Sequence, residues 1–198
     1  MGRKILAGIL GGLAFFAWSS VAHVATGLGE TGISEIPNEQ AVVSSLKTNI
    51  TAPGLYIFPG WGAGPNATHA QKKAAMKDME PKIKAGPVGL IVYRGGGEML
   101  SPRQLLVELG TNIFQVLLAV FLLGQTGLAG FMARWRFMTV AGVLAGISTN
   151  ISYWNWYGFP GNYTLAYVSV IVVGFMFAGL VAAAMLKPAA SRTMAAGG

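Results

Sequence analysis

Glu108, Asn112 and Gln115 are spaced by four and three residues, so a helix carries all three on one face. A carboxylate followed by two amides in an apolar run is the most specific chemical feature of the chain. An ionisable group in a membrane helix costs roughly 2.5–3.5 kcal/mol at the helix centre, less near the interface, and is a functional candidate by default. His23, at the end of an earlier apolar run, and Asn150, beside Ser148, Thr149 and Ser152 in a later one, add polar groups. His23, Glu108, Asn112, Gln115 and Asn150 could therefore line an outward-opening polar pocket for a small molecule or lipid. The same groups could instead be interhelical glue, with hydrogen bonds worth about 0.6 kcal/mol each. An ion path is the third option, but the inner halves of the runs offer only Gln125 and Thr139. Glu108 and His23 as an acid/base pair would make an enzyme, which requires two separate helices to bring them together. No enzyme and no catalytic residue are expected.

These residues sit on four apolar stretches, Ile5–Gly27, Leu105–Phe131, Phe137–Phe159 and Tyr163–Leu186, each near the roughly 20 residues that cross a bilayer as a helix. The composition agrees. Of 198 residues, 53% are hydrophobic and 11% charged, against about a quarter charged in soluble domains, and the mean hydropathy is +0.54. A net charge of +7 would point to nucleic acid in a soluble chain, but no basic groove with interleaved aromatics is present. With no cysteine, disulfides, thiolate metal sites and thiol catalysis are excluded. Metal ligation by His23 would need partners among Glu30, Glu35, Glu98 and Glu108; neither a metal nor another cofactor is expected.

The charges set a topology. Arg3 and Lys4 precede the first stretch, Arg134 and Arg136 separate the second and third, and Lys187 and Arg192 follow the fourth. The positive-inside rule then puts both termini in the cytoplasm of a multi-pass protein of the bacterial inner membrane. The long basic connection between stretches one and two faces out, since loops beyond about 60 residues translocate regardless of charge. The first stretch also fits a signal peptide cleaved after Ala22; a retained helix is the reading taken. Gly8/Gly12 and Gly142/Gly146 form small-xxx-small faces of the kind that let membrane helices approach closely.

The outer connection reads as a helix from Ser34 to Asn49, a strand at Pro53–Pro59, a turn at Gly60–Pro65, a helix from Thr68 to Lys84 that Pro81 ends or kinks, and a strand at Gly89–Arg94. The pairing direction of the strands is open. Two strands are marginally stable alone, so this cap should pack on the outer helix ends or on a partner. Trp154, Trp156, Tyr157 and Phe159 lie in the densest aromatic run, which reads as an interfacial belt or as a partner surface.

The chain resembles a group of small, uncharacterised bacterial inner-membrane proteins. The residues that carry the likeness are Ile36-Pro37-Asn38-Glu39, the run from Gly54 to Gly60, Ser101 to Leu106 with Glu108 to Asn112, and Tyr153 to Pro160. The resemblance implies the membrane topology and brings no activity with it.

The expected fold is an α-helical integral membrane protein: transmembrane helix 1 in residues 1–28, an extracytoplasmic α/β cap in 29–102, transmembrane helices 2–4 in 103–187 and a cytoplasmic tail in 188–198. The expected function is a non-enzymatic accessory or scaffold subunit of a larger membrane complex, with a respiratory or photosynthetic assembly as a natural host. Other integral membrane proteins and lipids are the expected partners. Outward-facing binding or transport is the alternative.

Overall fold

A computed structural model describes residues 1–64, 66–98 and 100–186. Lys187, Arg192 and the expected tail lie outside the described residues, as does Pro65 of the expected turn. The chain divides into two compact units, Met1–Ile33 with the chain from Leu100 on, and Ser34–Met99.

The first unit is built from α1 (Gly2–Val24), α4 (Pro102–Leu123), α5 (Phe131–Tyr157) and α6 (Gly161–Met185). The start of α4 is fixed by a capping box: the Gln104 N–H donates to Ser101 Oγ at 3.3 Å, and the Ser101 N–H donates to Gln104 Oε1 at 2.8 Å. Pro102 at the first helical position adds to this, because its missing N–H had no partner there anyway. The expected second stretch ran on to Phe131, but α4 stops at Leu123. Gly124, Gly127 and Gly130 crowd the next seven residues, and such density of glycine favours a loop over a helix.

Three helices, α1, α4 and α6, are long and apolar enough to cross a membrane. Length and composition thus mark three spans where four were expected. Although α5 has 27 residues, it carries Arg134, Arg136, Ser148, Thr149, Asn150, Ser152 and Asn155, which lower its hydropathy.

Within the unit, α1 lies between α4 and α6, and α6 between α1 and α5. Phe15, Val116, Val120, Met138, Phe175 and Ala178 are among the residues of the shared core. The Phe15 ring meets Phe175 edge-on at 5.4 Å. Two indoles tie neighbours to the α6 backbone: Trp18 Nε1 donates to Val170 O at 2.9 Å and Trp135 Nε1 to Met176 O at 3.1 Å. Lipid offers no hydrophobic drive for helix association, so close packing and such bonds must hold spans together.

Glycine permits that closeness. A Cβ on Gly12 would lie 2.9 Å from the Ile113 backbone nitrogen, and one on Gly8 would lie 3.1 Å from Leu117 Cα. On the other side, a Cβ on Gly142 would meet Phe175 Cβ at 2.5 Å. Both small-xxx-small faces are therefore consumed inside the chain, one against α4 and one against α6, and neither is left for a partner. The reason is that each face already has a neighbouring helix of the same bundle pressed on it.

The second unit holds α2 (Glu39–Asn49), β1 (Gly54–Phe58), α3 (His69–Ala85) and β2 (Gly89–Tyr93). The strands pair antiparallel, with Leu55 opposite Val92 and Ile57 opposite Leu90. Helix α2 begins later than Ser34 because Pro37 pushes Ile36 out of helical geometry. Pro81 does not end α3, which runs four residues further and stops at Gly86, φ 61°. A capping box between Thr68 and Gln71 starts it.

Candidate functional site

On α4 the three singled-out side chains form one hydrogen-bonded line. Gln115 Nε2 donates to Asn112 Oδ1 at 2.7 Å, and Asn112 Nδ2 donates to Glu108 Oε1 at 3.1 Å. Both amides point their donors toward the carboxylate, and turning Asn112 over would set its oxygen against that of Glu108. Asn112 is 2% exposed, Gln115 is half-buried and Glu108 is exposed. Glu108 and Asn112 fall in the first half of α4 and Gln115 just past its middle, because the helix ends at Leu123.

His23 is elsewhere. Its Nδ1 lies 2.8 Å from Ser19 O, and since a carbonyl only accepts, Nδ1 carries the proton and Nε2 is left open. The ring is exposed and stands edge-on to Tyr167 at 5.9 Å. With Gly8 against Leu117 and Gly12 against Ile113, α1 and α4 run antiparallel and His23 falls level with Pro102. Six residues of helix then separate its level from Glu108, about 9 Å along the axis, where direct proton transfer needs about 3 Å. Asn150 bonds its own helix, Nδ2 donating to Gly146 O at 2.8 Å. The structure thus joins Glu108, Asn112 and Gln115 but gives His23 and Asn150 separate partners. Among the described residues, no group of three His, Asp or Glu is placed to hold a metal.

This line of side chains gives a test. Asn112→Leu should lower unfolding stability by about 1–3 kcal/mol, since it leaves the half-buried Gln115 amide, past the middle of an apolar helix, without its acceptor. Circular dichroism on detergent-purified protein reads the change.

The aromatic residues make a more continuous feature. Tyr157 meets Tyr153 at 5.8 Å, Tyr153 stacks on Phe159 at 5.2 Å, Phe159 meets Tyr163 at 5.3 Å, and Tyr163 stacks on Tyr167 at 4.4 Å. Through Tyr167 the run ends on His23 of α1. It fastens the α5–α6 turn, which Gly158 makes with a left-handed φ of 71°. Of the expected partner surface, Trp154, Trp156 and Tyr157 are exposed, with Trp156 at 78%. Phe159 is half-buried between two tyrosines and belongs to the joint. Tyr167 was not singled out from the sequence, though its position four residues after Tyr163 was a legible signal.

No family model, curated protein or solved structure matches the chain.

The opposite end of the bundle holds Arg134, one of the charges that set the expected topology. Arg134 is 4% exposed. Its Nε donates to Leu128 O at 3.0 Å and its Nη1 donates to Leu186 O, so it joins the α4–α5 loop to the end of α6. Nearby, Arg3 Nε donates to Met185 O and Lys4 Nζ donates to Gly124 O at 3.3 Å. The last carbonyls of α4 and α6 have no helical partner, and a cation suits the negative end of the helix dipole.

Proposed function

We propose that this protein is a non-enzymatic accessory or scaffold subunit that completes its fold on other integral membrane proteins. One observation carries the reading: no described residue between Ser34 and Glu98 is buried. Yet Leu55, Ile57, Trp61, Met76, Val88 and Val92 in that unit are each at least 43% exposed. The register places Leu55, Ile57, Leu90 and Val92 on one face of the two-stranded sheet. A two-stranded sheet needs an apolar face covered to be stable, and this one is open to a partner.

In this reading α5 is a fourth span, supported by its length and by its packing along α6. The protein sits in a bacterial inner membrane with both termini cytoplasmic, supported by Arg3, Lys4, Arg134 and Arg136 at one end of the helices. Residues 34–99 form the extracytoplasmic cap. The resemblance to small bacterial inner-membrane proteins agrees with that arrangement. Binding or transport of a small molecule gains less support, because the five polar residues do not converge.

Affinity purification of the full chain from its native membranes in mild detergent, followed by mass spectrometry, tests the proposal. A stoichiometric second membrane protein is expected, and a lone monomer overturns it. Leu55→Glu combined with Val92→Glu should remove that protein while leaving the chain in the membrane fraction.

A further inference from the structure

The helical unit carries seven basic residues and two acidic ones, Glu30 and Glu108. Glu108 is in the first half of α4 and Glu30 follows the end of α1, so both lie toward one end of the bundle. Arg3, Lys4, Arg134 and Arg136 lie at the other, where α1 and α5 begin and α4 and α6 finish. No Asp or Glu follows Glu108 anywhere in the chain, and none precedes Glu30.

Two of these cations are drawn together. Arg3 and Arg134 donate to the consecutive carbonyls of Met185 and Leu186. Like charges set side by side repel, and the carbonyls answer them only in part, a helix terminus being worth about half an elementary charge. The positive ends of α1 and α5 at the same place offset those two half-charges, so the four formal charges remain as an excess that a mobile anion would relieve. Among the described hydrogen bonds Arg3 uses only its Nε, so both terminal nitrogens of an exposed guanidinium are left in fork geometry. Ile5, Leu6, Leu128, Phe131 and Met132 beside them are exposed and apolar.

We propose that the exposed Arg3 and Lys4, with Arg136 at the rim and the buried Arg134 behind them adding its charge, bind the phosphate of an anionic phospholipid, whose acyl chains lie on the neighbouring apolar residues. This rests on the reading that the apolar helices span a bilayer and is independent of any protein partner. A phosphodiester at the end of an apolar helix is the anion found at that depth, and basic pockets between spans are known to take such headgroups. Arg matches its oxygens bidentately, while Lys4 acts as a point charge.

The test is native mass spectrometry on the full chain, delipidated in mild detergent and titrated with phosphatidylglycerol, cardiolipin, phosphatidylcholine or inorganic phosphate. The anionic lipids should bind about tenfold more tightly than phosphatidylcholine. Arg3→Gln with Lys4→Gln should erase that preference, while Lys82→Gln with Lys84→Gln, in the other unit, should keep it. Arg136→Gln, an exposed position, gives a second reading should the first variant fail to fold, and should weaken the preference. Equal binding of all lipids overturns the proposal, as does equal loss in the Lys82/Lys84 variant. Inorganic phosphate binding as tightly as the lipids also overturns it, by showing a site for the free anion.

Discussion

Gly12→Leu should abolish the ordered bundle. A Cβ at this position would come within 2.9 Å of a backbone nitrogen of α4, and backbone inside a helix cannot step aside as a side-chain tip can. The two helices must separate, which forfeits packing along their shared face, where α1 also supplies Phe15 and Trp18 to its contacts with α6. Overpacking ordinarily costs about 1–3 kcal/mol, and contact with backbone puts this case at or above the top of that range. Gly110→Ala is the matched control. Nothing lies within 4 Å of a Cβ on Gly110, and removing a helical glycine stabilises by about 0.5–1 kcal/mol. Thermal unfolding in detergent, read by circular dichroism and by loss of the monodisperse peak, should show opposite signs for the two variants. A mild effect of Gly12→Leu would mean that α1 does not press on α4 here.

Arg134→Met should be the next most damaging single change, lowering stability by about 2–4 kcal/mol through two carbonyls left without their donor. Leu128 O and Leu186 O are far apart in sequence, and among the described residues this side chain joins them. Arg134→Lys should recover only part of the loss, since one ammonium cannot reproduce a planar fork that serves two acceptors. Chemical unfolding in mixed micelles gives the ordering wild type, lysine, methionine. A lysine variant equal to wild type would reduce the role of Arg134 to its charge.

The polar line on α4 was legible because its members share one helix. Spacings of four and three put Glu108, Asn112 and Gln115 in register whatever surrounds them, and the bonds between them follow. His23 and Asn150 are different. Whether they join that line depends on how far α1 and α5 slide along their neighbours, and the sequence carries no measure of that offset. The strands of the small unit were visible from their flanking breakers, whereas their antiparallel pairing was not, since either direction satisfies the same pattern.

Arg134 shows the same division at the basic end. Read along the chain, it is one positive residue in a short connection and marks an orientation. Only the meeting of α5 with the ends of α4 and α6 turns it into a buried crosslink. The glycine faces follow suit, since small residues four apart announce that something comes close without saying what.

What the sequence determined by itself is that the chain forms helices long and apolar enough to cross a membrane, three of the four expected, because transfer from water is a local property that adds up residue by residue. What only the tertiary structure decided is which helix fills each glycine face and which carbonyls each arginine serves. Those outcomes depend on mutual offset and shape between segments up to 180 or so residues apart, such as Arg3 and Met185, and packing energy is defined for the pair of surfaces and for neither one alone.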